Sequence, residues 1–78
     1  MVIMWKFNNS TYAYQTNDRL VADRMKRRKR FYLFNMGWNC NHWVFHVKKK
    51  NQRDALNTLQ ALINQKPKYN INKEVWEG

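Results

Sequence analysis

Two short apolar segments joined by a turn-forming segment constrain the fold of this chain more than any other feature. Residues 31–36 are dense in aromatic and aliphatic side chains, and residues 42–48 alternate large apolar residues with polar ones. The intervening residues 37–41 contain a glycine and two asparagines, which tolerate the left-handed backbone of tight turns. The pattern predicts an antiparallel β-hairpin over about residues 31–48.

Alternation along the second strand of this hairpin assigns its side chains to two faces. Trp43, Phe45 and Val47 share one face, and we expect this apolar face to pack in the core. The opposite face is mixed and more polar, and it carries His42, Val44, His46 and Lys48. We expect that face to be open to solvent, together with Tyr32 of the first strand, because a tyrosine hydroxyl tolerates water.

Helices are predicted on both sides of the hairpin. The first spans about residues 17–29, with Thr16 or Asn17 as its capping residue. The second spans about residues 52–65 and follows Asn51 as its capping residue. Its apolar residues recur with a period of 3.6 and comprise Ala55, Leu56, Leu59, Leu62 and Ile63.

Strands are predicted at both ends of the chain. Residues 2–7 form a strand, residues 11–15 form either a second strand or an extended lead-in, and Tyr69, Ile71 and Val75 indicate a last edge strand. The order is therefore strand, helix, strand, strand, helix and a final edge strand. We expect residues 1–78 to form a single small two-layer α+β domain, in which an antiparallel sheet carries both helices on one face.

An excess of positive charge is the main indication of function. Fifteen lysine and arginine residues face five aspartate and glutamate residues, which gives a formal net charge of +10. The electric field of such a charge attracts polyanions. Nucleic acid binds favourably to a basic surface because neutralised phosphates release their counterions. The first cluster comprises Arg19, Arg24, Lys26, Arg27, Arg28, Lys29 and Arg30, with residues 27–30 expected in the last turn of the first helix. The second cluster comprises Lys48, Lys49, Lys50 and Arg53.

The two clusters flank the predicted hairpin, one before its first strand and one after its second. Because these ends of an antiparallel pair are neighbours, we expect one merged basic patch. Aromatic side chains on the open face would stack on bases beside it, and Tyr32, His42 and His46 are candidate contacts. The sequence therefore predicts a nucleic-acid-binding protein, monomeric or homodimeric, with single-stranded RNA as its partner in preference to DNA.

Other interpretations stay open. A small inhibitory or adaptor protein, of the virus-encoded counter-defence type, would dock on an acidic protein or on a protein–RNA complex such as a toxin or nuclease. A metal-independent ribonuclease would use His42 and His46 as acid and base, with Lys48 and Lys49 stabilising the phosphorane. We expect no catalytic residue. Alternatively, the cations form a plain solvated surface, and the rings fill a thin core and a dimer interface.

Cofactors, metals and membranes are not expected. Cys40 is the single cysteine, so the chain forms no internal disulfide, which fits a reducing compartment. His42 and His46 would lie about 13 Å apart on a strand, too far for one zinc ion. No segment approaches the roughly 20 apolar residues of a transmembrane helix, and we expect a cytoplasmic protein.

Overall fold

Strands dominate the structure, and they form one antiparallel sheet. The computed structural model describes residues 1–37 and 41–78. Within these ranges the strands are β1 (Val2–Asn8), β2 (Thr11–Thr16), β3 (Tyr32–Met36), β4 (Trp43–Lys48), β5 (Lys68–Asn70) and β6 (Val75–Glu77), and the helices are α1 (Arg19–Lys26) and α2 (Gln52–Ile63). The strand order across the sheet is β3-β4-β2-β1-β6-β5. The predicted α+β class is confirmed.

The predicted hairpin is formed by strands β3 and β4. They pair antiparallel, with Tyr32 directly opposite His46. The predicted turn between them falls largely on residues 38–40, which lie outside the described residues. Next to that gap, the backbone N–H of Gly37 donates to the carbonyl of His42 at 2.8 Å, so the two strands are still hydrogen-bonded there.

Each end of the chain forms a hairpin of its own. Residues 11–15, predicted as a strand or a lead-in, belong to strand β2, which follows β1 after a tight turn at residues 9–10. The expected C-terminal edge strand is instead the two strands β5 and β6, and Ile71 lies in the turn between them. Asn70 shapes that turn, because its side-chain oxygen accepts hydrogen bonds from the backbone N–H groups of residues 72–73.

Helix α1 begins later than the sequence predicts. Its cap is Asp18, whose carboxylate accepts a hydrogen bond from the backbone N–H of Leu20 at 2.9 Å, and neither Thr16 nor Asn17 is the cap. The hydroxyl of Thr16 is engaged elsewhere, because it donates to the carbonyl of Met1 at 2.9 Å. The hydroxyl of Thr16 also accepts from the backbone N–H of Asp18 at 3.1 Å, so contacts at the end of β2 occupy Thr16 and the helix begins after Asp18.

Helix α1 also ends early, at Lys26, whereas residues 27–30 were predicted to form its last turn. The backbone there continues in tighter turns, and the N–H of Phe31 donates to the carbonyl of Arg28 at 3.2 Å. These turns bring Phe31 into the core, where its ring centroid lies 5.3 Å from that of Tyr14. The charged side chains of residues 27–30 do not pack on the sheet, whereas Phe31 does. Burial of Phe31 therefore decides where the helix ends.

Helix α2 starts as predicted and ends two residues before the predicted residue 65. The side-chain oxygen of Asn51 accepts a hydrogen bond from the backbone N–H of Asp54 at 2.9 Å, as an N-cap does. At the other end, Asn64 adopts a left-handed conformation with φ 57°. This conformation terminates a helix, so Ile63 is its last residue.

Both helices pack on the same face of the sheet, as predicted. The buried residues there are Val2, Met4, Tyr12, Tyr14, Trp43, Phe45 and Val47 from the strands, and Val21, Ala22, Met25, Ala55, Leu59 and Leu62 from the helices. The prediction that Trp43 and Phe45 belong to the core is confirmed. Tyr14 also links the two layers, because its hydroxyl donates to the carbonyl of Ala55 at 2.7 Å. Burial raises the pKa of Tyr14 well above its usual range, so this phenol stays a donor.

We call the opposite face of the sheet the open face, because no helix covers it in the described part of the chain. Strand register places one row of side chains across it, formed by Tyr32, His46, Ala13 and Trp5. Ala13 is fully buried although it points away from the helices. Directly opposed side chains lie about 5 Å apart, so Trp5 and His46 close over the smaller residue between them. The open face is therefore continuous from β3 to β1.

Candidate nucleic-acid interface

Four ring-bearing side chains from β3, β4 and the end of β1 lie together on the open face. We call them the aromatic cluster, and its members are Phe7, Tyr32, Phe34 and His46. The rings of Phe34 and His46 are stacked, with centroids 4.0 Å apart and an interplanar angle of 13°. The ring of Phe7 contacts the same imidazole, with centroids 4.3 Å apart. Tyr32 lies directly opposite His46 on the neighbouring strand.

The aromatic cluster presents much of its ring surface to solvent. Phe7 is 51% exposed, Tyr32 67% and Phe34 62%. The prediction that Tyr32 lies on the open face is confirmed. Contiguous exposed apolar surface marks an interaction site more often than single exposed residues do. The cluster is therefore the first candidate for a binding surface.

A β-bulge in strand β3 shapes the cluster. Leu33 and Asn35 pair with successive residues of β4, so Phe34 is the extra residue between them. A bulge removes a residue from the regular ladder and re-aims its side chain. The ring of Phe34, at the bulge, stacks on His46. Tyr32 and Phe34 share the open face by ordinary alternation, and the bulge changes the register after Phe34, where Asn35 pairs with Val44 and Met36 with Trp43.

Its neighbours change the acid–base behaviour of His46. Partial burial lowers the pKa of its imidazole below the ordinary value of about 6.5. The neutral form of the ring is therefore favoured at pH 7. A neutral ring stacked on Phe34 contributes a flat aromatic surface to the site and no charge.

The two basic clusters lie at the same end of the hairpin as the aromatic cluster. Residues 27–30 are exposed and directly precede β3, whose first residue, Tyr32, pairs with His46. Lys48 follows His46 by two positions on β4, so it points to the same open face. The strand register therefore brings the end of the first cluster and the start of the second close together.

Lys49 is tied to the helix layer, unlike its neighbours. Its Nζ lies 3.7 Å from Asp54 Oδ1 and donates to Thr58 Oγ1 at 2.6 Å. This is the one ion pair within residues 1–37 and 41–78. Lys48 and Lys50 are exposed and, like the cations of residues 26–30, are not neutralised by a carboxylate in the described part of the chain.

Other predicted contacts lie away from the aromatic cluster. Arg19 begins α1, roughly 10 Å along the helix from the basic run. Arg24 lines a shallow pocket on the helix side, beside both chain termini. His42 precedes β4, about 13 Å from His46 along an extended chain. Arg53, the last member of the second basic cluster, is exposed on the first turn of α2.

A groove continues the open face on the far side of Trp5. It has a volume of about 610 Å³ and is lined by Ile3, Trp5, Lys6, Gln15, Tyr69, Lys73, Glu74 and Val75. Its walls come from β1, β2 and the β5–β6 hairpin, which meet because Ile3 pairs with Glu77 across the sheet. The sequence did not predict this groove, because its two sides come from opposite ends of the chain.

Similarity to known proteins assigns no role to this surface. No protein-family model, curated protein or solved structure matches this chain. In the part that the structure describes, no group of three His, Cys, Asp or Glu side chains is placed to hold a metal ion, and Cys40 lies outside that part. Within the same residues, no helix is long and apolar enough to cross a membrane.

Phe7 and Phe34 were not predicted as site residues. Strand β1 alternates Val2 and Met4 with Trp5 and Phe7, so large apolar residues occupy both of its faces. The helices can cover one face only, and this composition alone indicates that the other set is exposed or bound by a partner. Alternation also places Phe34 on the same face as Tyr32, so the sequence carries a signal for Phe34 as well.

Proposed function

We propose that this chain binds single-stranded RNA, with bases stacked on the aromatic cluster and phosphates contacted by the adjoining cations. One observation carries the proposal: the exposed aromatic cluster lies at the end of the hairpin where the two basic clusters meet. Single-stranded RNA offers flat bases and a regular series of negative charges, and a sheet surface of this composition matches both.

The exposure of the rings supports base stacking. Tyr32 and Phe34 are each more than 60% exposed, so a base can cover a ring without displacing a helix. Each stacked base contributes about 1–3 kcal/mol, measured as the loss on alanine substitution. His46 supports the ring of Phe34 from its other side by stacking at 4.0 Å.

The exposure of the cations and their lack of ion pairs support phosphate binding. Residues 26–30, Lys48 and Lys50 are exposed and form no ion pair within the described residues. A phosphate can therefore approach them without first breaking an internal pair. Counterion release from the RNA then makes the affinity fall as salt rises.

The two histidines support binding without cleavage. Hydrolysis of RNA without metal needs a general acid and a general base close to one phosphate. His42 and His46 are separated by about 13 Å along the chain, and His42 lies at the end of β4 away from the basic clusters. We therefore propose a binding protein and not a ribonuclease.

One observation favours an acidic protein as a second candidate partner. All five residues of β3 are exposed, and this strand is outermost in the described sheet. An exposed apolar edge strand is a template for strand addition by another protein, and the +10 charge would attract an acidic one. An inhibitory or adaptor protein would need that partner to show affinity, whereas the proposed function requires the free protein to bind RNA.

The salt dependence of RNA binding tests the proposed function. Contact with about six phosphates of a single strand predicts a slope near −4 in a plot of log affinity against log salt. Replacing Arg27 and Arg30 by glutamine should make the slope about 1.4 units shallower, since each lost contact removes about 0.7. The measurement is fluorescence anisotropy with labelled RNA between about 50 and 300 mM salt.

A matched control separates local contacts from total charge. Lys66 and Lys68 are exposed residues after α2, away from the aromatic cluster. Both double variants, Arg27→Gln/Arg30→Gln and Lys66→Gln/Lys68→Gln, carry +8 instead of +10. We expect the second to keep the original slope. A slope near zero for the unmodified protein, or equal slopes for both variants, would contradict the proposed site.

A further inference from the structure

The groove beyond Trp5 has the residue types of a base-binding pocket. Trp5 is half-buried and offers an indole face, and Gln15 offers an amide that can both donate and accept hydrogen bonds. Lys73 and Glu74 bring charge of both signs from the β5–β6 turn. Aromatic and polar side chains around one concave surface are typical of small-ligand sites.

The backbone of Glu74 gives this groove a second, independent feature. Its φ is 55°, the left-handed region that glycine or asparagine normally occupies. Glutamate is a poor residue for this position, since its Cβ is strained there. The carboxylate of Glu74 forms no ion pair or hydrogen bond in the described part of the chain. The side chain of Glu74 is exposed, so both of its carboxylate oxygens are available to accept hydrogen bonds from a ligand.

We propose that this groove binds a guanine base, as a base-specific extension of the proposed RNA-binding function on which it rests. The Watson–Crick edge of guanine carries two adjacent N–H donors, and a carboxylate accepts both at once. Adenine, cytosine and uracil lack that pair of donors. Glu74 accepts from guanine, the Gln15 amide donates to its carbonyl oxygen, and Trp5 stacks on its face.

The position of the groove fits one RNA strand that also contacts the aromatic cluster. Trp5 and His46 lie two strands apart, about 10 Å, on either side of Ala13. Lys6 and Lys73 line the groove and supply positive charge for the phosphates of the nucleotide in it. The aromatic cluster then binds neighbouring bases without selection, and the groove selects one of them.

Mononucleotides test the groove directly. We expect GMP to shift the NMR signals of the Trp5 indole N–H and the Gln15 side-chain amide, and AMP, CMP and UMP to shift them much less. In RNA, an oligouridine of about ten nucleotides with one guanine should bind about tenfold or more tightly than the same oligomer with one adenine. Glu74→Gln should bring this ratio close to one. Asp23→Asn, on α1 and with the same change of charge, should preserve it.

The stability of a further variant separates function from structure. Glu74→Gly relieves the left-handed strain, so its melting temperature should rise while guanine preference is lost. A lower melting temperature would mean that Glu74 holds the turn, and the guanine pocket would be rejected. Equal shifts with all four nucleotides would reject it too. If the protein binds RNA without base preference, the proposed function stands and the guanine pocket is refuted. If GMP binds in the groove but RNA does not bind, the pocket stands and the proposed function is refuted.

Discussion

Two residues of one hairpin should respond to alanine in opposite ways. Tyr32 is 67% exposed on the open face, and Trp43 is 7% exposed in the core. We expect Tyr32→Ala to weaken RNA binding and keep the fold, and Trp43→Ala to destabilise the fold strongly. The prediction therefore tests at once which face of the sheet is core and which face binds.

The magnitudes follow from burial. An aromatic side chain buries about 150–250 Å² when fully enclosed, so the buried third of Tyr32 contributes at most about 1–2 kcal/mol. That loss lowers the melting temperature of a domain this size by about 4–8 °C per kcal/mol. Removing a buried tryptophan costs about 3–5 kcal/mol, against a total stability of about 4–12 kcal/mol for a chain of this length.

The binding loss for Tyr32→Ala is about 1–3 kcal/mol, equivalent to an affinity about 5- to 150-fold weaker. Thermal melts followed by circular dichroism and anisotropy with labelled RNA measure both quantities. Trp43→Phe keeps a buried ring, so it should fold and bind RNA almost normally. A folded Trp43→Phe that has lost RNA, beside a Tyr32→Ala that binds normally, would show that the two faces are reversed.

Two further predictions concern the histidines. The pKa of His46 is lowered in the fold, so as pH falls through about 6.5 the unfolded chain takes up a proton that the native state resists, and stability decreases. Melting temperatures between about pH 7.5 and 5.5 should therefore fall less for His46→Gln than for the unmodified protein, and an equal fall in both would contradict this pKa. Labelled RNA incubated with concentrated protein and EDTA should stay intact, because the two histidines do not face one phosphate. Cleavage that disappears in His42→Ala or His46→Ala would make the protein a ribonuclease.

The core face and the open face of the central hairpin could be predicted, because the sequence of β4 allows only one of its faces to pack on the helices. Trp43, Phe45 and Val47 are all apolar, and the alternate residues of β4 are mixed, so only the first set suits the helices. The apolar stripe of α2 and its cap at Asn51 were equally clear. Local chemistry and tertiary packing agree at these positions, and prediction succeeds there.

Prediction failed where several residues could serve equally well. Thr16, Asn17 and Asp18 are consecutive and all favour helix caps, and the choice depends on the contact of Thr16 with Met1. The end of α1 depends on Phe31 entering the core, which no local preference of residues 27–30 reveals. Tertiary contacts decided both boundaries.

The candidate site was predicted in its charges and missed in part of its aromatic surface. The register of the hairpin was enough to bring residues 27–30 and Lys48 to one end of the sheet. Phe34 shares a face with Tyr32 by alternation but was not predicted as a site residue, whereas the groove at Glu74 depends on the pairing of β1 with β6. That pairing joins opposite ends of the chain, so the local sequence does not contain the groove.

Strand β1 joins two halves of the open face that assemble over very different sequence distances. On one side it forms a local hairpin with β2, and on the other it pairs with β6, where Val2 and Gly78 exchange backbone hydrogen bonds. Contacts between such distant segments require closure of a long loop, which costs more conformational entropy than closing the β1–β2 turn. The β5–β6 hairpin has two strands of three residues each, so we expect it to open more readily than the longer strands β1 to β4. We therefore expect the aromatic cluster to stay folded when the groove opens, and a ligand bound in the groove to slow the release of the hairpin.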